Sequence, residues 1–244
     1  MDSEEKAYCL GINDFASFDT IAPGVATFIF HDSYGLVNLN ENITVAPQWS
    51  SVKMLSGDRL SAYKNEKYAL IDLNGEVLSG YQWSDISKFS NDGLCVVAKL
   101  DTARSTRWTD YWLFGLMDTN GKLVGDVTWE QLGASKSRSY GPYVYAPTFY
   151  DDLIPVCKDG KWGFINQKGE VVVSPQYAEV KNFSDGLAAV KTSSGRWGFI
   201  DTTGKMVISV KYSDVSSFSN GRADVCLNGA WQIIDKHGKL VYFK

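Results

Sequence analysis

Short apolar runs separated by glycine-bearing turns recur along this chain of 244 residues. Residues 187–191, 197–201 and 206–210 are three such runs, each five residues long, which is close to the commonest strand length. Residues 192–195 and 202–204 connect them, and both connections end on glycine, which suits hairpins whose last loop residue takes a positive φ. The runs are too short for helices. This pattern predicts an all-β fold built from three-stranded antiparallel meanders.

The meander is one copy of an internal repeat. Trp162 and Trp197 each begin the sequence Trp-Gly-Phe-Ile-Asn/Asp, and they lie 35 positions apart. Further along each copy, an aromatic residue precedes an acidic residue and a valine, at residues 177–180 and 212–215. This segment leads to the next meander and can add a short fourth strand. The frame recurs in six units, some of which match it less closely than these two copies do. The units are centred on Tyr34, Tyr68, Phe114, Trp162, Trp197 and Trp231.

The repeat fills the chain, which indicates a single domain over residues 1–244. Residues 13–26 match only the second half of a unit, so the pattern begins midway through one. Six units of about 34 residues fit two arrangements. The expected one is an open, twisted, solenoid-like stack, because about 34 residues is short for a four-stranded blade of about 40 to 45. The alternative is a closed six-bladed β-propeller-like ring, in which the N-terminal half unit completes the last one.

Several recurrent features of the unit have structural explanations. A three-stranded meander cannot cover its own apolar face, so the aromatic ring that opens each unit is expected at a seam between units. Gly163 and Gly198 are expected to let a neighbouring backbone or ring approach closely. An Asp or Asn recurs before each unit's second turn, at positions 38, 72, 118, 166, 201 and 235. One such oxygen donor per turn is too few for calcium, whereas Asp and Asn favour turn starts by bonding to their own backbone.

Composition and charge narrow the function classes. The net charge of −4 and the pI near 5.2, with scattered Lys and Arg, argue against a nucleic-acid partner. No apolar run approaches the roughly 18 residues of a membrane helix, so no membrane insertion is expected. Residues 1–5 are acidic, unlike a signal peptide, which predicts a cytoplasmic protein, or a secreted one if a leader has been removed. The four cysteines, at positions 9, 95, 157 and 226, are expected to be free, half-buried thiols.

Departures from the repeat mark the candidate binding site. Two insertions, residues 100–112 and 133–151, flank the unit at Phe114, so they are expected to lie close together. Both combine Arg with Trp or Tyr, the composition favoured in binding hot spots, and insertions in repeat arrays often line the binding face. The purely structural alternative is that the rings pack a long loop onto the array. The predicted partner contacts are Arg107, Trp108, Tyr111, Trp112, Arg138, Tyr140, Tyr143 and Tyr145.

Motifs that carry catalytic or cofactor chemistry are missing from the sequence. Its two histidines, His31 and His237, have no Cys, Asp or Glu at metal-ligand spacing. No nucleophile elbow, phosphate-cradling loop or dinucleotide fingerprint occurs. Recurrent carboxylates such as Glu179 follow the repeat, whereas catalysis needs one uniquely placed pair. The sequence therefore predicts no enzyme, no cofactor and no metal, with a hydrolase using carboxylates near the insertions as a disfavoured alternative.

The frame Gly-[Lys/Arg]-Trp-Gly-Phe-Ile-[Asp/Asn]-x-x-Gly, with Tyr-x-[Asp/Glu]-Val downstream, resembles the WG-containing repeat family of bacterial proteins. The two best copies lie at residues 160–221. The resemblance covers about residues 12–242, with the second half of a unit standing first in the chain. It implies a β-rich tandem-repeat module that is interpreted as an interaction scaffold, and it brings no catalytic residues. The expected function is thus a non-enzymatic scaffold for a protein partner. The alternative is a glycan- or cell-wall-binding module that uses exposed aromatic residues.

Overall fold

The computed structural model describes most of the repeat array. The residues described are 17–133, 135–138 and 141–241, with the backbone alone described at 17, 18 and 135–138. The predicted half unit before residue 17, Cys9 and Tyr140 lie outside the described residues. Within them, every helix or strand assigned is a β-strand, so the all-β prediction is confirmed. The described ranges contain no helix long and apolar enough to cross a membrane.

The strands form six antiparallel sheets that follow one another along the chain. The first sheet comprises β1 (Ser17–Ala22), β2 (Val25–Phe30), β3 (Ser33–Asn38) and β4 (Ile43–Trp49), and the second comprises β5 (Ser51–Ser56), β6 (Arg59–Lys64) and β7 (Lys67–Asp72). The third comprises β8 (Asp85–Ile86), β9 (Leu94–Leu100), β10 (Trp112–Asp118) and β11 (Leu123–Trp129). The fourth comprises β12 (Gln131–Leu132), β13 (Ser135–Arg138), β14 (Gly141–Tyr143), β15 (Leu153–Lys158), β16 (Lys161–Asn166) and β17 (Val171–Tyr177). The fifth comprises β18 (Glu179–Val180), β19 (Leu187–Lys191), β20 (Trp197–Asp201) and β21 (Met206–Tyr212), and the sixth comprises β22 (Asp214–Val215), β23 (Arg222–Leu227) and β24 (Ala230–Asp235).

Consecutive strands pair within each sheet, and from the second sheet onward a short strand links each sheet to the next. The two-residue strands β8, β12, β18 and β22 follow the aromatic residue that ends one unit, and each pairs with the first long strand of the following unit. The short fourth strand that the sequence allowed is therefore present, and it belongs to the next sheet. The chain departs from strictly sequential pairing at β12, which pairs with β15 across the β13–β14 hairpin.

The aromatic ring that opens a unit lies directly opposite a second aromatic residue in the same sheet. The opposed pairs are Tyr34 with Trp49, Tyr68 with Trp83, Phe114 with Trp129, Trp162 with Tyr177 and Trp197 with Tyr212. Cross-strand pairs of this kind stabilise a sheet by about 0.2–1 kcal/mol each. Their recurrence explains why both aromatic positions of the repeat survive when the residues between them vary.

The glycine after the opening ring accommodates a bulge in the neighbouring strand. The partner of Trp162 is Tyr177, but the partner of Phe164 is Val173, so extra residues of β17 bulge opposite Gly163. A Cβ atom on Gly163 would lie 2.2 Å from the carbonyl oxygen of Val173. The close backbone approach expected at this glycine is confirmed.

Five hydrophobic clusters join the six sheets, one between each consecutive pair. Between the fifth and sixth sheets, the rings of Phe199 and Phe218 meet edge to face, with their centroids 4.9 Å apart. The opening rings of the first five units all lie in or against the cluster that faces the next sheet; these are Tyr34, Tyr68, Phe114, Trp162 and Trp197. Full burial of a large apolar side chain contributes about 1.5–3 kcal/mol. The predicted role of these rings as seam residues is confirmed.

Within the ranges that the structure describes, no further sheet covers the face of the sixth sheet that is turned away from the fifth. Arg222 and Trp231 hold the positions that Leu187 and Trp197 hold in the fifth sheet. Trp197 is 3% exposed in its seam, whereas Trp231 is 60% exposed and Arg222 is exposed as well. Among the described residues, no hydrophobic cluster joins the sixth sheet to the first. The array is therefore an open stack, and the closed ring is not formed.

The recurrent Asp and Asn side chains fix turns. The backbone N–H groups of Thr203 and Lys205 both donate to Asp201 Oδ1 at 3.0 Å, and the same pattern occurs at Asp118 and Asp235. The Thr203 hydroxyl donates to the same carboxylate and, with these backbone groups, holds the pKa of Asp201 below its usual value. The predicted turn role is confirmed.

The three cysteines in the described part of the chain, Cys95, Cys157 and Cys226, are free and buried. Cys157 and Cys226 lie in the fourth and sixth sheets, which the fifth sheet separates. Burial raises the pKa of Cys157 to about 11, and the charge of Glu130 adds to the shift. These thiols are free, as expected, but more deeply buried than the sequence indicated.

Candidate functional site

The two insertions come together where the second, third and fourth sheets meet. Residues 101–111 extend the β9–β10 hairpin beyond the end of the third sheet. In the second insertion, β13 pairs with β12 and with β14, which widens the fourth sheet by two strands. Strands β10 and β13 contact each other. The prediction that the two insertions lie close together is confirmed.

A cleft of about 450 Å³ opens between the insertions and the second sheet. One wall comes from the β6–β7 hairpin, which carries Tyr63 and Tyr68 with their ring centroids 4.6 Å apart and tilted by 46°. Trp112 from the first insertion forms another wall, and Pro142 from the second insertion completes the rim. The volume lies within the range of about 300–1,000 Å³ that is usual for ligand pockets. Three parts of the chain that are far apart in sequence thus build one concavity.

Among the described side chains, acidic ones outnumber basic ones in this cleft. Glu66, Asp85 and Asp110 line it together with Lys67. Burial raises the pKa of Asp85, although the Ile86 N–H donates to its Oδ1 at 2.9 Å and Lys53 is nearby. Burial also raises the pKa of the Tyr68 hydroxyl, and the negative charge of Asp85 adds to that shift. The cleft therefore has an aromatic and electronegative interior.

The tip of the first insertion presents an ordered aromatic surface. Trp108 is 84% exposed, and the Arg107 guanidinium lies 5.2 Å from the centroid of its ring. The Thr106 hydroxyl accepts the backbone N–H groups of Trp108 and Thr109 at 3.3 and 3.1 Å, which fixes the turn. Tyr111, which follows, is also exposed. An exposed tryptophan held in a defined turn is poised to make contacts at a low cost in conformational entropy.

Arg104 ties the first insertion to the fourth sheet. Its guanidinium donates to Asp101 Oδ2 at 2.6 Å and also to Glu130 Oε1. Glu130 in turn accepts the backbone N–H groups of Asp159 and Gly160 at 3.1 Å each, in the β15–β16 turn. Burial alone would raise the pKa of Glu130, but the bonds from Arg104 and from these backbone groups outweigh it, so the pKa lies below its usual value. This network keeps the insertion in place against the stack.

The structure distributes the predicted contact residues between the surface and the core. Arg107, Trp108, Tyr111, Tyr143 and Tyr145 are exposed. Trp112 is only 7% exposed, because it packs in the cluster between the third and fourth sheets, although it also lines the cleft. Arg138 lies on β13, where the backbone alone is described, and Tyr140 lies outside the described residues.

The sequence analysis missed the wall of the cleft that the second sheet supplies. Tyr63, Tyr68 and Asp85 stand in regular units of the repeat, and the repeat itself predicts no binding role for them. One signal was present in the chain: Tyr63 and Tyr68 sit on either side of the Asn65–Glu66 turn, so a hairpin at this place puts the two rings side by side. Arg104 was likewise not singled out, because nothing in its local sequence identifies its partner Glu130.

Comparison with known sequences decides the family. The family model described as WG containing repeat matches residues 34–68, 143–162, 162–194 and 197–231, which together make half of the chain. The chain belongs to the WG containing repeat family. Residues 69–142 lie outside the matched WG segments, and they hold the whole third sheet with the first insertion. Asp85, Asp110 and Trp112 of the cleft lie in this unmatched part of the chain, whereas Tyr63 and Tyr68 lie at the end of a matched segment.

No curated protein sequence matches the chain. Solved structures similar to this WG repeat array are remote. The crystal structure of BamB from Moraxella catarrhalis is 14% identical, with a TM-score of 0.35, and the match covers 93% of this chain and 75% of that one. The WD40 β-propeller domain of Doa1 is 12% identical, with a TM-score of 0.30, over 94% of this chain and 81% of that one.

Proposed function

We propose that this WG repeat protein is a non-enzymatic scaffold that binds a protein partner through the surface formed by its two insertions. The observation that carries the proposal is the exposure of Trp108 on an ordered turn beside an aromatic cleft. Trp, Tyr and Arg are the residues that most often dominate the energetics of protein interfaces. Arg107, Trp108 and Tyr111 present all three types on one loop.

A binding role also fits the way in which the stack uses its carboxylates. The repeated Asp side chains accept backbone N–H groups in turns, so they are engaged in holding the fold. The described residues contain no group of three or more side chains placed to hold a metal ion. We therefore propose a scaffold in which the sheets supply rigidity and the insertions supply the contact surface, without a catalytic step.

The proposal is tested by capturing partners from a lysate of the source organism with wild-type protein and with Trp108→Ala. Truncating a tryptophan hot spot costs about 2 kcal/mol or more, so the partner's apparent affinity should fall by about thirtyfold or more. Trp231→Ala is the matched control, because it removes an equally prominent exposed tryptophan from the far end of the stack. Far-UV circular dichroism checks that both variants are folded.

Two results would count against a protein scaffold. If Trp108→Ala and Trp231→Ala retain the same captured protein with unchanged affinity, the insertions are not the contact surface. If a glycan array instead shows wild-type binding that is lost in Trp108→Ala, the aromatic surface serves a carbohydrate, and the scaffold proposal is wrong.

A further inference from the structure

We infer that the cleft beside the insertions receives a basic side chain, arginine or lysine, of the protein partner. The inference rests on the proposed scaffold function and specifies the chemistry of the partner. It follows from three features of the same cavity, namely its excess of carboxylates, its aromatic walls and its position next to the exposed Trp108 loop.

The charges of the cleft favour a cation. Among the described side chains, three carboxylates, those of Glu66, Asp85 and Asp110, line it together with the ammonium group of Lys67. In the described part of the chain, Asp85 makes no salt bridge, although Lys53 is near it, and it accepts one hydrogen bond, from the Ile86 N–H. A carboxylate that is partly removed from water and forms no salt bridge is stabilised when a cation binds directly to it. A guanidinium or ammonium group in the cleft would supply that partner, and a phosphate would be repelled.

The aromatic walls favour the same ligand. The face of a tyrosine or tryptophan ring attracts a cation within about 6 Å of its centroid. Tyr63 and Tyr68 lie side by side at one wall with their ring planes tilted by 46°, and Trp112 lines another. A long basic side chain suits such a site, because its methylene groups pack on the rings while its charged end reaches the carboxylates.

The position of the cleft indicates a side chain that belongs to a protein. Asp110 lies on the cleft, and Trp108 and Tyr111 lie within two residues of it on the same exposed loop. A partner that contacts Trp108 is therefore within reach of the cleft. Interfaces commonly combine a central anchored side chain with surrounding aromatic contacts, and here the carboxylates would select the anchor by its charge.

The test uses a defined probe on the full chain. The tripeptide acetyl-Gly-Arg-Gly-amide is titrated into isotope-labelled protein and followed by nuclear magnetic resonance, with acetyl-Gly-citrulline-Gly-amide as its neutral counterpart. We expect the arginine peptide to shift the indole N–H signal of Trp112 and the signals around Tyr68 and Asp85, and the citrulline peptide to leave them in place. Asp85→Asn should weaken the arginine peptide about threefold or more, and added salt should weaken it as well.

Two further variants control for misfolding and for the loss of a negative charge. Asp110→Asn changes an exposed loop position of the cleft, so its affinity for the arginine peptide provides a second measurement if Asp85→Asn is poorly folded. Asp126→Asn removes the same charge from an exposed position on β11 that does not line the cleft, and it should leave the affinity unchanged. Equal shifts with the arginine and citrulline peptides, or equal effects of the three substitutions, would overturn the inference even if partner capture depends on Trp108. Arginine-specific shifts without any captured protein would support the cation site and count against the proposed scaffold.

Discussion

Single residues of the repeat carry specific packing roles, and the glycine after the opening ring is the clearest case. Gly163 is buried on β16, opposite the bulge of β17. The carbonyl oxygen of Val173 and the backbone nitrogen of Pro175 would lie 2.2 and 2.8 Å from a Cβ atom at this position. Both are backbone atoms, so they cannot move aside as a flexible side chain can.

Substitution of this glycine should therefore be costly. We expect Gly163→Ala to lower the free energy of unfolding by about 1–3 kcal/mol, the usual cost of forcing an extra carbon into a packed site. Urea unfolding followed by circular dichroism measures the change. Gly80→Ala is the control, because the nearest atom to its added Cβ is 3.9 Å away and the residue is exposed, and it should change the stability by less than about 0.5 kcal/mol. An equal cost at both positions would show that the bulge does not require glycine.

The sequence predicts the residue roles that repeat and misses those that occur once. The seam position of Trp197 and the turn role of Asp201 follow from their recurrence in six copies. The cleft wall at Tyr63 and Tyr68 could not be predicted in this way, since their use depends on which distant loops lie next to them. The burial of Trp112 was missed for a related reason: it stands in an insertion, but it is also the first residue of β10 and packs as part of the core.

At the scale of elements, the second insertion is an addition to a complete unit. Phe149 holds the position of Phe183 in the next unit, so the extra residues lie between Gly133 and Phe149. The β13–β14 hairpin pairs only with β12, whereas β12 also pairs with β15, which stays in the sheet without it. The core strands of the fourth sheet therefore do not depend on the hairpin.

Deletion of residues 134–147 should leave the stack folded. The spacing from Phe114 to Trp162 then falls to that of a regular unit. We expect cooperative urea unfolding and an all-β circular dichroism spectrum, with a loss of about 1–2 kcal/mol because Val144 no longer packs against the seam between the third and fourth sheets. The arginine peptide should bind more weakly, since Gly141 and Pro142 leave the rim of the cleft. Loss of cooperative unfolding would mean that the hairpin is integral to the fold.

The elements were predictable where they follow the repeat and unpredictable where they leave it. Apolar runs bounded by glycine are sufficient to place the long strands. The increased spacing between the opening rings of successive units is sufficient to locate both insertions. The pairing of β13 with β14 was not foreseen, because residues 135–138 are polar and show no alternation of apolar and polar side chains. The Arg104–Glu130 contact joins residues 26 positions apart, one in the β9–β10 loop and the other between β11 and β12, and no local pattern encodes it.

At the scale of the whole molecule, the protein is an open stack in which each sheet covers one face of the sheet before it. The sixth sheet differs from the fifth on the face that the fifth uses to contact its neighbour. Arg222 and Asp224 stand on that face where Leu187 and Ala189 stand in the fifth sheet. The change from Leu and Ala to Arg and Asp is visible in the sequence, and it is a signal for the open arrangement that the sequence analysis did not use.

The most direct test of this account compares two equivalent tryptophans in one experiment. Trp197→Ala removes a ring from the seam between the fifth and sixth sheets, and it should lower the free energy of unfolding by about 3–5 kcal/mol. Trp231→Ala removes the same ring from the outward face of the last sheet, where it is 60% exposed, and it should cost less than about 1 kcal/mol. Urea unfolding of both variants beside the wild type measures the difference. A large cost at Trp197 with a small cost at Trp231 is the predicted result, and equally large costs at both positions would contradict the open stack.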